Sequence, residues 1–482
     1  MDTQNTKPQK KRPIRKWTKH MFEQLHILDV YRKLRSGSTV LHFNRDFNQF
    51  FRQIDNLSVT SGERTVLCTG ILITPKKPTL PIFLAKIHAK EPDLRFVLLD
   101  EHHHSRQLNE NTFTRLKFPR AVSQQEYSQH RWMEVQPRDY ELCAKYPSIQ
   151  TVTDTLLKRQ MDHGTTGMLR LVCAYAEAYE RAIERLKPVA VIIWCEFTKM
   201  HPVCAEIARA HGVKVLYMEF GSIPGTFALE DQGQMGESRI ATEAEAFRAL
   251  PVTDEQLQQT DTILDFLHTS GLNRNEQVKD ERLSMVYEQL DRQKPLVVFA
   301  GQNDFDSGIV PYDKRARKYH MPIFADSLEA AHYLEDLSQQ EGWNFIFKPH
   351  PFMRRVITED TPMNWIAQCN FNELIDSADV VVTGVSQSSY IALIRGKPCV
   401  TIGYNQLRGK GCTWETNQLE QIAPAIRDAL REGFTAEQQE AFRVHVTQLL
   451  RYALFDDCSE RSLRYGQPPK QAVKLFAQEM AD

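Results

Sequence analysis

The sequence lacks the features that mark a membrane-spanning, a disulfide-stabilised or a nucleic-acid-binding protein. No run of about 18 apolar residues occurs, so no transmembrane helix is expected. The start has no continuous apolar core, and we therefore expect no signal peptide. None of the nine cysteines forms a Cys-x-x-Cys pair, which favours reduced thiols of a cytoplasmic protein over a disulfide framework or a zinc site. With 60 basic and 61 acidic residues the formal net charge is −1, so nucleic acid is not indicated as a partner.

Basic charge is nevertheless concentrated near the start of the chain. Positions 7–20 hold seven lysine or arginine residues and no acid. One interpretation is a solvated, disordered arm over residues 1–20. The other is an arm that contacts anionic lipid headgroups, with Trp17, Met21 and Phe22 in the interface. The pattern leaves both interpretations open.

Short β-prone runs alternate with helical patterns in two separate parts of the 482-residue chain. Because parallel strands are joined by helical crossovers, this alternation predicts two parallel sheets. We predict an α/β protein with two Rossmann-like lobes that face a cleft, and helical segments at both ends. The predicted divisions are a basic arm (1–20), an amino-terminal lobe (21–240), a polar helical linker (241–290), a second lobe (291–415) and a helical segment (416–482).

The predicted strands are mostly continuous apolar runs, typical of strands that are buried on both faces. They are Thr65–Ile73, Arg95–Leu99, Val189–Trp194, Val213–Met218, Leu296–Ala300, Asn344–Phe347, Val380–Val382 and Cys399–Ile402. A long helix is predicted over Gly167–Leu186, whereas residues 105–165 give no clear pattern. Ligands of open α/β sheets bind outside the carboxyl ends of the strands, so the polar residues after each strand are the candidate site.

The first polar cluster is Lys348-Pro349-His350-Pro351. The two prolines fix the backbone around the histidine and end the strand. His350 could donate a hydrogen bond to a phosphate or a ribose hydroxyl, and Lys348 could supply positive charge. The alternative is a rigid turn with a surface histidine.

The second cluster, Ser386-Gln387-Ser388-Ser389, precedes a predicted helix. Serine hydroxyls beside free backbone N–H groups at a helix start can bind an anion. The alternative is that Ser388 simply caps the helix, and the two roles are compatible.

A third cluster places Glu219 at the end of an apolar strand, before Gly221, Pro224 and Gly225. A carboxylate facing the cleft could act as a general base or a nucleophile, and the glycines would allow an acceptor to approach closely. The alternative is a carboxylate paired with a basic neighbour.

A loop that begins at Gly301-Gln302 follows the first strand of the second lobe and could contact a nucleotide or sugar. Three histidines at positions 102–104 adjoin two acids, but adjacent residues on a loop rarely converge on one ion. We therefore predict no metal site.

Four segments, in this order along the chain, resemble the bacterial capsule polysaccharide biosynthesis family. Its members are GT-B glycosyltransferases and include the Kdo transferases of capsule assembly, and it is similar in its motifs to bacterial sialyltransferases that use CMP-sugars. The segments are Val191–Trp194, Tyr217–Thr226, Lys348–Pro351, and Thr383–Ser389 with Arg395–Pro398. The resemblance covers residues 188–412.

The resemblance implies a role for each cluster. His350 would contact the CMP moiety, Ser386, Ser388 and Ser389 would hold the donor phosphate, and Glu219 would be the catalytic carboxylate. Sialyltransferase-like members often carry a second acid where this sequence has Phe220. The amino-terminal lobe would bind the acceptor and the second lobe the nucleotide sugar, without a bound metal or other cofactor.

We therefore expect a glycosyltransferase of surface polysaccharide synthesis, which transfers a sugar such as Kdo or a sialic-acid-like sugar from a CMP donor to a lipid-linked or glycan acceptor. The basic arm would bring it to the cytoplasmic face of the inner membrane. Two alternatives stay open: a nucleotide-sugar epimerase on the same fold, and a non-catalytic assembly factor that binds nucleotide or glycan.

Overall fold

The structure is a computed structural model that describes most of the chain. The described residues are 43–58, 62–70, 79–101, 108, 111–119, 135–159, 165–273, 281–351, 353, 361–366, 368–459 and 462–477. The predicted basic arm over residues 1–20 and the histidines at 102–104 lie outside the described residues. None of the helices in these ranges is long and apolar enough to cross a membrane.

The first lobe is built on a seven-stranded sheet with the strand order β12-β6-β5-β4-β1-β2-β3. Neighbouring strands from β5 to β3 run parallel, whereas β6 and β12 are antiparallel additions at one edge. The strands are β1 (Arg64–Thr69), β2 (Leu94–Asp100), β3 (Phe113–Lys117), β4 (Ala190–Trp194), β5 (Lys214–Phe220), β6 (Thr226–Glu230) and β12 (Leu454–Asp456).

The second lobe is built on a five-stranded sheet with the order β11-β10-β9-β7-β8, in which all neighbours run parallel. Its apolar central strands are buried on both faces, as continuous hydrophobic runs favour. The strands are β7 (Leu296–Ala300), β8 (Asn344–Lys348), β9 (Val380–Thr383), β10 (Cys399–Thr401) and β11 (Trp414–Glu415).

Helices cover both faces of the two sheets. Several begin at a side-chain cap, such as Thr253 and Asp326, and end at a left-handed glycine, such as Gly342. The α-helices are 43–55, Thr79–His88, Pro137–Lys145, Ser148–Arg159, Thr165–Leu186, His201–Ala210, Arg239–Thr242, Ala244–Arg248, Asp254–Ser270, Glu281–Gln289, Lys314–Tyr319, Ser327–Glu341, Phe371–Ser377, Ser388–Ile394, Ile422–Glu432 and Ala436–Gln448. Shorter 3-10 or π turns are Met235–Glu237, Leu419–Gln421, Leu449–Ala453 and Pro469–Phe476.

The predicted α/β class with two Rossmann-like lobes is confirmed by this topology. The predicted strands are present within one or two residues wherever the structure describes them, because continuous apolar runs are a strong signal. Residues 105–165 give no clear sequence pattern, and the part of this range that the structure describes contains β3 and the helices Pro137–Lys145 and Ser148–Arg159. The sequence analysis also missed β6, β11 and β12, which are short strands at or near the sheet edges.

The last part of the chain packs on both lobes. Helix Ala436–Gln448 lies in the core of the second lobe, where Phe442 and Val446 are buried. After it, β12 pairs with β6, and the turn Pro469–Phe476 packs on helix Thr79–His88 of the first lobe. Part of the predicted helical segment 416–482 thus belongs to the first sheet, as strand β12.

Candidate functional site

The carboxyl ends of the two parallel sheets meet at the junction of the lobes. The Cys195 thiol, just after β4, donates to the carbonyl oxygen of Asp306 in the loop after β7 at 3.6 Å. Arg159 binds the Asp306 carboxylate at 2.8 Å. Gln387, at the start of the helix after β9, donates its amide to the carbonyl oxygen of Phe220 at the end of β5, at 3.2 Å. The arrangement brings the predicted carboxylate segment next to the predicted serine segment.

Glu219 is the second-last residue of β5 and is half-buried. It pairs with Ala228 of β6, and Glu230 lies on the same face, opposite Tyr217. Burial raises the pKa of Glu230 to about 8, and the charge of nearby Glu219 adds to that shift. The charge of Glu219 therefore contributes to the raised pKa of Glu230.

The residues predicted to form the acceptor side make the tight turn between β5 and β6. Gly221 is buried, and its N–H donates to the carbonyl oxygen of Thr226 at 2.8 Å. A side chain there would overlap the Thr226 hydroxyl. Gly225 has a φ of +82° and Pro224 beside it is half-buried. These positions shape the turn that follows the strand of Glu219.

Lys348 and His350 lie at the end of β8. The Lys348 side chain is buried, and its ammonium donates to the carbonyl oxygen of Pro349 at 2.8 Å. His350 is half-buried and follows the strand directly. The N–H of Gly301, after β7, donates to the carbonyl oxygen of Lys348 at 3.0 Å, so the two strand ends are adjacent.

Gln302 is buried and holds the loop after β7 in place. Its amide donates to the Asp304 carboxylate at 3.0 Å and to the Ser327 hydroxyl at 2.5 Å. A side chain on Gly384, after β9, would come within 2.5 Å of Oε1 of the Gln302 side chain. Gln302 thus joins the ends of β7 and β9 by close packing.

The three predicted serines have different surroundings. Ser386 is half-buried, accepts the N–H of Ser388 at 3.1 Å and donates to the Ser388 hydroxyl at 2.9 Å. Ser389 is fully buried, donates to the carbonyl oxygen of Ser386 at 2.9 Å and accepts from the Asn405 amide at 3.1 Å. The Ser389 hydroxyl thus makes two hydrogen bonds within the fold, which favours a structural role for it. The phosphate-binding role of Ser386, Ser388 and Ser389 stays a prediction.

Strand order places the second-lobe candidates along one edge of the sheet. β7 lies between β9 and β8, so Gly301 and Gln302 lie between Ser386 on one side and His350 on the other. Glu219 belongs to the other sheet and approaches this edge at the Ser386 side through the Gln387–Phe220 hydrogen bond.

The sequence analysis missed a buried carboxylate at this junction. Glu196 directly follows Cys195, two residues after β4, and is 2% exposed. The Arg315 guanidinium, from the second lobe, binds it at 2.6 Å. Burial raises the pKa of Glu196 above its ordinary value, while the charge of Arg315 opposes that shift. Its position at a strand end, like that of Glu219, was the signal that could have identified it.

Within the described residues, Glu180, Glu184 and His211 could approach one ion. The Glu180 carboxylate already binds Lys145 at 2.6 Å and Arg138 at 2.8 Å. These two cationic side chains therefore already neutralise the carboxylate that a metal ion would have to bind.

One surface depression of the described residues lies away from the junction. It has a volume of about 450 Å³ and is lined by residues of helices that precede β9 and β10, among them Asn372, Asp376 and Arg395. These residues are at the amino ends of the strands, where open α/β sheets do not bind their ligands. The strand-end junction is therefore the better candidate.

No protein-family model matches the chain, and no curated protein matches it in sequence. Solved structures that are similar to it include KpsC of Thermosulfurimonas dismutans, a beta Kdo 2,7 transferase, at 16% identity and a TM-score of 0.36, covering 58% of this chain and 81% of that one. Another is the UDP-GlcNAc 2-epimerase of Methanocaldococcus jannaschii, in complex with UDP-GlcNAc and UDP, at 12% identity and a TM-score of 0.34. That match covers 79% of this chain and 97% of the other. A third is the glycosyltransferase SnogD of Streptomyces nogalater, at 11% identity and a TM-score of 0.30. That match covers 86% of this chain and 99% of the other. At these values the likenesses assign no residue and no activity.

Proposed function

We propose that the protein is a glycosyltransferase that binds a nucleotide sugar at the strand ends of its second lobe. The observation that carries the proposal is the meeting of both sets of carboxyl strand ends, where Gln387 bonds Phe220 beside Glu219. A two-substrate transfer needs one binding surface for each substrate and a reactive group between them. The junction supplies both surfaces and a half-buried carboxylate.

The roles follow from the chemistry of the side chains. His350, Ser386 and Ser388 bind the nucleotide phosphate, and Lys348 adds positive charge at the end of β8. Glu219 either takes the proton of an acceptor hydroxyl, whose oxygen bonds the donor carbon as the bond from that carbon to the phosphate breaks and CMP leaves, or attacks the donor carbon itself with loss of CMP. In the second case the acceptor hydroxyl then displaces Glu219 from the sugar. The Gly221–Gly225 turn holds Glu219 at the acceptor side.

The substrate is proposed from the family resemblance. The donor is a CMP-sugar that carries Kdo or a sialic-acid-like sugar. The acceptor is a lipid-linked or other glycan of a surface polysaccharide. The transfer uses no bound metal, and the basic arm contacts the cytoplasmic face of the inner membrane.

A nucleotide panel tests the proposal. We expect CMP to raise the unfolding temperature more than UDP or GDP, since a ligand at about 100 times its dissociation constant stabilises the folded state by about 2.7 kcal/mol. Glu219→Gln should bind CMP as the wild type does but lose turnover of a CMP-sugar, whereas His350→Ala should lose CMP binding. The absence of stabilisation by all three nucleotides would exclude the proposed function, and a preference for UDP would exclude the CMP donor. Bound CMP without transfer in the wild type would favour an assembly factor.

A further inference from the structure

The loop of residues 195–199, which we call the interlobe loop, inserts from the first lobe into the second. It joins β4 to helix His201–Ala210. Its two ends, Cys195 and Lys199, have φ values of +57° and +50°, which residues other than glycine seldom adopt. Such a backbone persists only where surrounding contacts hold it, and it often occurs at functional sites.

Phe197 occupies a socket in the second lobe. Its ring meets the His320 ring edge-on, with the centroids 5.0 Å apart, and the Arg315 guanidinium lies 5.1 Å from the ring centre. A side chain on Gly308 would come within 2.8 Å of both Phe197 and His320. The glycine is therefore required for the two lobes to approach this closely.

Glu196 connects the socket to the strand that carries Glu219. Its carboxylate accepts from Arg315 at 2.6 Å, and its N–H donates to the Gln234 side chain at 2.5 Å. The Gln234 amide in turn donates at 3.2 Å to the carbonyl oxygen of Met218, the residue before Glu219. The chain of contacts from Arg315 to β5 thus has no break.

The socket is itself held firmly. Glu237 accepts two hydrogen bonds of 2.7 Å from Arg315 and one of 2.9 Å from Nε2 of the fully buried His320 ring. Burial acts to raise the pKa of Glu237, but its bonds to His320 and Arg315 outweigh that effect and lower it, so the carboxylate stays charged. A displacement of the interlobe loop would break its contacts without loosening the socket.

We propose that the interlobe loop positions the end of β5, and with it Glu219, against the nucleotide side of the second lobe. Glu196, Phe197 and Arg315 are positioning residues, because they act through β5 and not on the substrate. The role in transfer rests on the proposed function, whereas the role in holding the lobes together does not. A shift of about 1 Å in a reacting group can lower a rate about 100-fold, so even a small loosening should be visible in turnover.

The test compares Glu196→Gln, Arg315→Gln, the double variant and Arg315→Lys with the wild type. Arg443→Gln is the matched control, because Arg443 binds Asp261 with two hydrogen bonds of 2.6 and 2.8 Å between helices of the second lobe. Small-angle X-ray scattering should show a larger radius of gyration for Glu196→Gln and a further increase for Arg315→Gln, which also loses the bonds of Arg315 to Glu237. The double variant should equal Arg315→Gln, because the contact between Glu196 and Arg315 is already lost there. Arg315→Lys should recover part of the compact form, and Arg443→Gln should match the wild type.

Function is read on the same proteins. The dissociation constant for CMP should stay that of the wild type, since the nucleotide residues lie in the second lobe, while kcat for a CMP-sugar should fall about 100-fold with little change in KM. An unchanged radius of gyration and kcat in both single variants would overturn the proposal. The same changes in radius of gyration and kcat in Arg443→Gln would also overturn it. If CMP does not bind to the wild type, the proposed function fails, but the scattering result still decides whether the loop holds the lobes.

Discussion

His201 illustrates how burial at one residue sets a property of the whole protein. The ring is 3% exposed, and its Nδ1 lies 2.8 Å from the carbonyl oxygen of Cys195. Burial lowers the pKa of His201 to about 4, from 6.5, with the hydrogen bond to Cys195 acting in the opposite direction. The unfolded chain therefore binds one more proton than the folded protein between these two pH values, and stability falls as pH falls through this window.

The predicted size of this loss follows from the shift in pKa. A pKa of about 4 in the folded protein, against 6.5 in the unfolded chain, corresponds to a loss of roughly 3 kcal/mol between pH 6.5 and pH 4. Urea unfolding at pH 7 and pH 4.5 should show a larger loss for the wild type than for His201→Gln, which cannot gain a proton. Other groups titrate in this range in both proteins, so only the difference between them reports His201. Equal losses would contradict the assignment.

At the residue level the sequence analysis chose its candidates by their position after apolar strands. That criterion finds Glu219, His350 and Ser386 because strand ends are visible in sequence. It does not distinguish Ser388 from Ser389, which are adjacent and chemically identical. Their difference depends on Asn405, which comes from the end of another strand.

The helix Ser388–Ile394 is the element at which this difference can be tested. Ser389→Ala would leave the Asn405 amide without its acceptor in a fully buried place, which should lower the free energy of unfolding by about 1–3 kcal/mol. CMP affinity should not change. Ser388→Ala, at the next position, is the matched control and should show the reverse, with a smaller loss of stability and weaker CMP binding. Loss of CMP binding in Ser389→Ala at unchanged stability would show that Ser389 contacts the phosphate, as the sequence predicts.

Element boundaries were predictable where the pattern was strong. Continuous runs such as Leu296–Ala300 and glycine caps such as Gly342 identify their elements directly. The hairpin formed by β5 and β6 was not visible, because β6 adds an antiparallel strand to a sheet whose other signals are parallel. The sequence predicts an acceptor surface at its turn, and it does not separate a tight turn from a ligand loop because glycine and proline are typical of both.

At the scale of the whole molecule, the chain builds the second lobe and then returns to complete the first. Phe442 is buried in the core of the second lobe, while Phe455, from β12, packs against Phe83 in the first. The two phenylalanines are 13 positions apart and almost equally buried, at 3% and 2% exposure. They therefore form a natural pair for testing how the lobes share stability.

We expect Phe455→Ala and Phe442→Ala each to cost about 3–5 kcal/mol, the usual cost of deleting a buried ring. Hydrogen exchange measured by mass spectrometry should show the loss in different places. Phe455→Ala should speed exchange in β5 and β6, and Phe442→Ala in β7 and β9. If Phe455→Ala loosened the second sheet as much as the first, the assignment of the carboxyl-terminal strand to the first lobe would be wrong.

The sequence by itself determined the α/β class, the two parallel sheets and the strand ends on which the candidates lie. Those properties depend on local periodicity and on the helical crossovers that parallel strands require, and both can be recognised from residues that are close in sequence. Only the tertiary structure decided that the Ser389 hydroxyl bonds Asn405, that β12 returns to the first sheet and that Glu196 meets Arg315. Each of these is a contact between residues distant in sequence, and such contacts depend on how the two lobes pack and not on any local pattern.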